Sequence, residues 1–181
     1  QENDDETDTH LHRLSDGMFL LAGQQAPAGE HFVTPVNPGA SAPFATWATA
    51  GTNLAEVVTA ALADATTPRV VWVSNGVYAL SATITLNKPL TIRNWPGNEG
   101  VVVDGQDTVR CFYLDDTGAE LDGLTLTRGS AGDGGAVFMA KGGLVQNCTI
   151  YSNATTAVAI GYYNKYTSVA TDSVIRNCRI F

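Results

Sequence analysis

Basic residues are scarce in this chain. Ten Lys and Arg stand against eighteen Asp and Glu, for a formal net charge of −8 and a pI near 4.6. Nucleic acid and anionic membrane surfaces attract basic patches, so neither is expected as the main partner. Charge of either sign makes up only 15% of the sequence and apolar residues 44%, a balance that permits a packed core and excludes wholesale disorder. No apolar run approaches the length of a membrane span. Gly17-Met-Phe-Leu-Leu-Ala-Gly23 is too short for one, and it follows an acidic segment, unlike a signal peptide. Cysteine is limited to three residues, an odd count that gives no support to a full disulfide framework. The three histidines, His10, His12 and His31, all precede the repetitive part of the chain, and no Gly-x-Ser-x-Gly occurs, so Ser/His/Asp catalysis has little support. Gly132-Asp-Gly-Gly135 lacks the Lys-Ser/Thr and helix of a phosphate loop. Two-residue hairpin turns are hard to find, which argues against a sandwich built of hairpins.

What the chain does have is repetition. Glu120-Leu-Asp-Gly-Leu-Thr-Leu-Thr-Arg-Gly129, Leu144-Val-Gln-Asn-Cys-Thr-Ile-Tyr-Ser-Asn153 and Val174-Ile-Arg-Asn-Cys-Arg-Ile-Phe181 align column by column. Gly123, Asn147 and Asn177 share one column, Leu124, Cys148 and Cys178 the next, and Leu126, Ile150 and Ile180 an apolar column beyond. Pro89-Leu-Thr-Ile92 is aligned to the same frame, with Leu90 over Leu124 and Ile92 over Leu126. Each copy alternates apolar and polar residues, the period of a strand with one buried face. The copies are 34, 24 and 30 residues apart at Leu90, Leu124, Cys148 and Cys178, so strands are kept while loops vary, as in a solenoid. A second strand set, Val109–Leu114, Gly135–Ala140 and Ala157–Ile160, is expected to turn Phe112 and Leu114, Val137 and Met139, and Val158 and Ile160 inward. The fold expected is all-β: a right-handed parallel β-helix with an N-terminal capping α-helix.

Residues 1–30 form an acidic tail or docking strand. Within it Asp8, His10 and His12 could ligate a metal, but a solvated tail is the plainer reading. Residues 31–68 form the cap. In it Leu54, Val57, Val58, Ala61 and Leu62 recur at helical spacing over 53–65, with Asn53 as N-cap and Glu56 three residues on. Such a helix would shield the first coil from water. Residues 69–181 supply the coils, beginning at Arg69-Val-Val-Trp-Val-Ser74. Because the chain starts at Gln1 and stops inside a strand copy, it is expected to continue past Phe181 or to have that edge, with Cys178, Ile180 and Phe181, covered by another chain.

The run of strand, Asn37-Pro-Gly39 loop, Thr46-Trp-Ala-Thr49, helix, Val71-Trp-Val73 and Asn75-Gly-Val-Tyr78 resembles the N-terminal cap and first coil of secreted right-handed parallel β-helix proteins of bacteria. Val101-Val-Val-Asp-Gly-Gln106, Cys111-Phe-Tyr-Leu114 and Leu121-Asp-Gly-Leu-Thr-Leu126 are similar to later coils of that class. Gly134-Gly-Ala-Val137 followed by Asn147–Asn153 resembles the repeat of chlamydial polymorphic outer-membrane proteins, with Ile150 in place of the repeat's Phe. The resemblance implies export to the cell surface or medium. It leaves activity open, since adhesins and pectate-lyase-like enzymes share the architecture.

Candidate site residues follow from chemistry. Tyr151, Tyr162, Tyr163, Tyr166 and Trp95 could form a glycan-stacking surface, or simply cover loops. Asp115, Asp116 and Asp133 could meet across coils as a calcium site, with Arg128 or Lys141 beside them, the arrangement a polysaccharide lyase of this class implies. A solvated turn is the competing reading for Asp115 and Asp116. No other cofactor is expected. Cys148 and Cys178 fall on adjacent coils, where buried thiols or a disulfide both fit. The function expected is a structural or adhesive module at the cell surface that presents a rigid face to glycans or proteins and can self-assemble through its open coil edge. The alternative is a polysaccharide lyase or glycoside hydrolase.

Overall fold

The computed structural model describes residues 29–154, 156–160 and 172–181. The tail with Asp8, His10 and His12, the segment 17–23, and Tyr162, Tyr163 and Tyr166 lie outside the described residues. In chain order the elements are β1 (Glu30–Val33), α1 (Leu54–Ala63), β2 (Val70–Val73), β3 (Gly76–Ala79), β4 (Ile84–Leu86), β5 (Leu90–Asn94), β6 (Val101–Asp104), β7 (Phe112–Leu114) and β8 (Ala119–Asp122). They continue with β9 (Thr125–Thr127), β10 (Val137–Met139), β11 (Gly143–Gln146), β12 (Thr149–Tyr151), β13 (Val158–Ile160), β14 (Ser173–Arg176) and β15 (Arg179–Ile180).

Every strand pairs in parallel with its counterpart one coil away, and the strands gather into three sheets. The first runs β1-β2-β5-β8-β11-β14, the second β3-β6-β9-β12-β15 and the third β4-β7-β10-β13. This is the parallel β-helix expected from the repeats. Its interior is a set of side-chain ladders, one per register position. Val71, Ile92, Leu121 and Val145 stack in the first sheet, Tyr78, Val103, Leu126 and Ile150 in the second, and Phe112 and Val137 in the third, all buried. Phe112 with Leu114 and Val137 with Met139 face inward as the alternation requires, and Val158 is half-buried below them.

The copy at Leu90 and Ile92 sits elsewhere than its sequence alignment put it. Leu90 pairs with Ala119 and Ile92 with Leu121, whereas the neighbour of Leu126 one coil back is Val103. A strand's two-residue period says which side chains face inward, but not which of three similar sheets the strand joins. Asn75-Gly76, which reads as a turn, instead gives Gly76 to β3.

One end of the solenoid is closed by α1. The Asn53 side chain accepts hydrogen bonds from the Ala55 and Glu56 backbone N–H groups, and Leu54, Val57, Val58 and Ala61 are buried against β1, β2 and β4. His31, 2% exposed, ties the cap together. Its Nδ1 donates to the Pro43 carbonyl at 2.6 Å, and its Nε2 lies 3.4 Å from an Asp64 carboxylate oxygen.

The corners decide how closely coils can stack. Gly123, Asn147 and Asn177 adopt φ of 72°, 54° and 52° at the same corner of successive coils, the left-handed region that Gly and Asn enter most cheaply. Gly129 meets a different demand. A side chain there would run into the Gly135 carbonyl, because backbone passes directly beneath it. Gly132, by contrast, has no atom within 4 Å of a would-be Cβ. Gly129→Ala is therefore expected to cost about 1–3 kcal/mol of stability, while Gly132→Ala stays within about 0.5 kcal/mol of the parent. Urea denaturation of the two variants side by side checks this; equal midpoints would contradict the close approach at Gly129.

Candidate functional site

Between the first and second sheets each coil turns a corner, and there residues of adjacent coils line a groove of about 480 Å³. Arg93, Asn94, Glu99, Asp122, Gly123, Leu124, Thr125, Asn147 and Thr149 line it. Register brings them together, since Arg93 lies beside Asp122 and Thr125 beside Thr149.

The floor is a paired charge. Asp122 is 5% exposed, and each carboxylate oxygen has a donor: Arg93 Nη2 reaches Oδ2 at 2.9 Å and Asn147 Nδ2 reaches Oδ1 at 2.7 Å. Burial of an ion is tolerable only with such partners. The Arg93 guanidinium also lies 5.3 Å from the Trp72 ring centre, which fixes its direction. Asn94 Nδ2 donates to the Asn98 carbonyl at 2.8 Å and so holds the loop that ends at Glu99. Beside the groove a second polar chain crosses coils: Glu120 accepts from Thr91 at 3.1 Å and from Gln146 at 2.6 Å, and Gln146 in turn accepts from Arg176 at 2.8 Å.

The next corner is held by a different pair. Arg128, at φ 49°, grips Asp104 through two nitrogens, with Nε donating to Oδ1 at 2.9 Å and Nη2 donating to Oδ2. The guanidinium holds the Asp104 carboxyl below the usual carboxylate range, helped by the Gln106 backbone N–H. Asp104 is 7% exposed, so removing its partner strands a largely desolvated charge.

The sequence-derived candidates distribute as follows. Trp95 stands 38% exposed on its corner, with edge-on contacts to Trp47 at 5.3 Å and Trp72 at 5.1 Å that join cap to coils. It directly follows Asn94 in the loop leading to Glu99. Tyr151 is half-buried and stacks on Phe181 at 5.8 Å. Asp115 pairs with Lys141 Nζ at 3.1 Å. Asp116 accepts from the Gly118 N–H at 2.8 Å, and Asp133 contributes its carbonyl to Arg110 Nη2 at 2.8 Å. Among the described residues no three His, Cys, Asp or Glu side chains form a group able to hold a metal ion. Ile180 and Phe181 are 49% and 76% exposed on the outermost described coil, beside exposed Val174 and Ile175.

Cys111, Cys148 and Cys178 are free thiols. A hydrogen bond to Cys178, together with burial, holds the Cys148 proton in place, and the same bond lowers Cys178 to about 6. Burial pushes Cys111 up to about 12.

Sequence reading missed Arg93, Asn94, Glu99, Thr125 and Thr149. The signal for Asn94 was present: with Ile92 set over Leu121, Asn94 falls on Gly123 and extends the corner column to Asn94, Gly123, Asn147 and Asn177. Comparison of the chain with family models, with curated proteins and with solved structures finds no match in any of the three.

Two expectations follow. Arg128→Ala should lower the melting temperature at neutral pH, because it leaves the Asp104 carboxylate without its guanidinium partner. A carboxyl held low in the fold contributes stability above its unfolded value of about 3.9 and loses it as pH falls through the lower folded one. The gap between parent and variant in thermal melts should accordingly close below about pH 4; a gap that persists in acid would mean Arg128 acts through packing alone. For the thiols, iodoacetamide near neutral pH should label Cys178 first and leave Cys111 and Cys148 untouched until the chain is unfolded, as peptide mass mapping over time would show.

Proposed function

We propose that this protein is a non-catalytic carbohydrate-binding module of the cell surface or the extracellular medium, whose corner groove receives a glycan while the solenoid serves as a rigid support. The observation that carries it is what the groove leaves unpartnered. Both Asp122 oxygens are engaged by Arg93 and Asn147, while the hydroxyls of Thr125 and Thr149 and the Glu99 carboxylate have no protein partner among the described residues. Hydroxyl donors and acceptors on adjacent coils, about 4.8 Å apart, suit a polyhydroxylated chain lying across the coils. Trp95, which follows Asn94 in the loop leading to Glu99 and is 38% exposed, adds an apolar ring near this groove for the C–H side of a sugar.

A hydrolytic reading rests on Glu99 and Asp122 sharing the groove, since glycoside hydrolysis needs two carboxylates. It comes second because both Asp122 oxygens are engaged by Arg93 and Asn147.

The test is binding of the intact 181-residue chain to neutral oligosaccharides by calorimetry, with product release monitored in the same samples. A Thr125→Val/Thr149→Val double variant keeps strand preference and removes both hydroxyls; it should bind about tenfold more weakly. Trp95→Ala should lose about two- to tenfold, read together with its melting temperature because Trp95 also joins cap to coils. Unchanged affinity in both variants would remove the groove from the function, and sugar release dependent on Glu99 would replace binding by hydrolysis.

A further inference from the structure

The groove's charge is asymmetric in a way that selects among glycans. Its cation, Arg93, donates to Asp122 and lies over the Trp72 ring. Its second carboxylate, Glu99, is exposed and has no hydrogen-bond or ion-pair partner among the described residues. The charge left over for a ligand is therefore negative. Glu99 repels a carboxylate and attracts an ammonium, and the one cation among the described residues that line the groove, Arg93, is already paired with Asp122.

We infer that the groove takes glycans bearing free amino groups, with Glu99 pairing the ammonium, and that it rejects glycans built of uronic acids. This rests on the carbohydrate-binding reading above and narrows its substrate class. The long reach of the effect is limited, because Glu99 is exposed and salt screens it over about 8–10 Å at physiological strength. An exposed pair of this kind supports a discrimination of about two- to fivefold at low salt. The chain as a whole carries a net charge of −8, which slows approach of a polyanion and favours a polycation.

The experiment uses the 181-residue chain and three oligosaccharides of equal length: one of glucosamine, its N-acetylated counterpart, and one of galacturonic acid. Affinities are measured by calorimetry at low salt and again at about 0.5 M salt, where screening is nearly complete beyond a few ångströms. Expected is an order of glucosamine, then the N-acetylated form, then galacturonate, with the spread shrinking at high salt. Glu99→Gln should bring the first two to within about 1.5-fold of each other, chiefly by weakening glucosamine binding, which separates a local pair from the global charge. Galacturonate binding as tight as the other two, or a preference untouched by Glu99→Gln, would overturn the inference and leave a carbohydrate module of different specificity. Absence of binding to all three would overturn the carbohydrate reading itself, and this inference with it.

Discussion

Each inward side chain of a parallel β-helix must land on its counterpart one coil away, and the backbone must turn each corner without pushing the coils apart. Strand spacing of about 4.8 Å leaves no room for adjustment once the ladders are filled. Leu121 and Val145 can share a column with Ile92 only because the corners that follow them are turned tightly, by Gly123 and Asn147 at positive φ, in step with the corner at Asn94 that follows Ile92. Where the corner is tightest even a methyl group is too large, and Gly129 passes against the Gly135 carbonyl. Insertions are absorbed between strands. Ile92 to Leu121 spans 29 residues and Leu121 to Val145 only 24, yet the ladder is unbroken.

The polar groups at the corners follow from the same constraint. A residue that turns the chain out of one sheet directs its neighbours toward solvent, and stacking repeats this at nearly fixed spacing. Asp122 is thereby set between Arg93 of the coil before and Asn147 of the coil after, and Asp104 beneath Arg128. These pairs hold carboxylates that are only 5% and 7% exposed. Both corners hold an ion pair, and the one with Asp122 and Arg93 also leaves hydroxyls and Glu99 open to a ligand. The cap protects this arrangement at its vulnerable end, with α1 over the first coil and Trp95 locked between Trp47 and Trp72.

The Glu120, Leu144 and Val174 copies were legible because they repeat both strand and corner. Their column of Gly123, Asn147 and Asn177 shares a positive φ, and Leu126, Ile150 and Ile180 share a ladder. The helix was equally legible, since Asn53 caps it and its buried stripe is amphipathic. The copy at Leu90 was placed in the wrong sheet because in the frame chosen the corner column falls on Pro89 rather than on a Gly or Asn, so alternation alone had to align it; its corner residue is Asn94, two positions after Ile92. The groove was not legible at all. Arg93, Glu99, Thr125 and Thr149 are polar residues at unremarkable intervals, and nothing in their spacing tells them from any other solvated corner.

Sequence by itself determined the parallel solenoid, its inward columns and its capping helix, because these depend on local periodicity, turn conformation and capping, which each copy carries within about ten residues. Only tertiary structure decided the coil register at β5, the pairing of Asp122 with Arg93 and Asn147, and which carboxylate is left unpaired. The physical reason is that a charge's partner in a solenoid comes from the next coil, 24 to 30 residues away, at a distance set by how the intervening loops close rather than by the residues beside it.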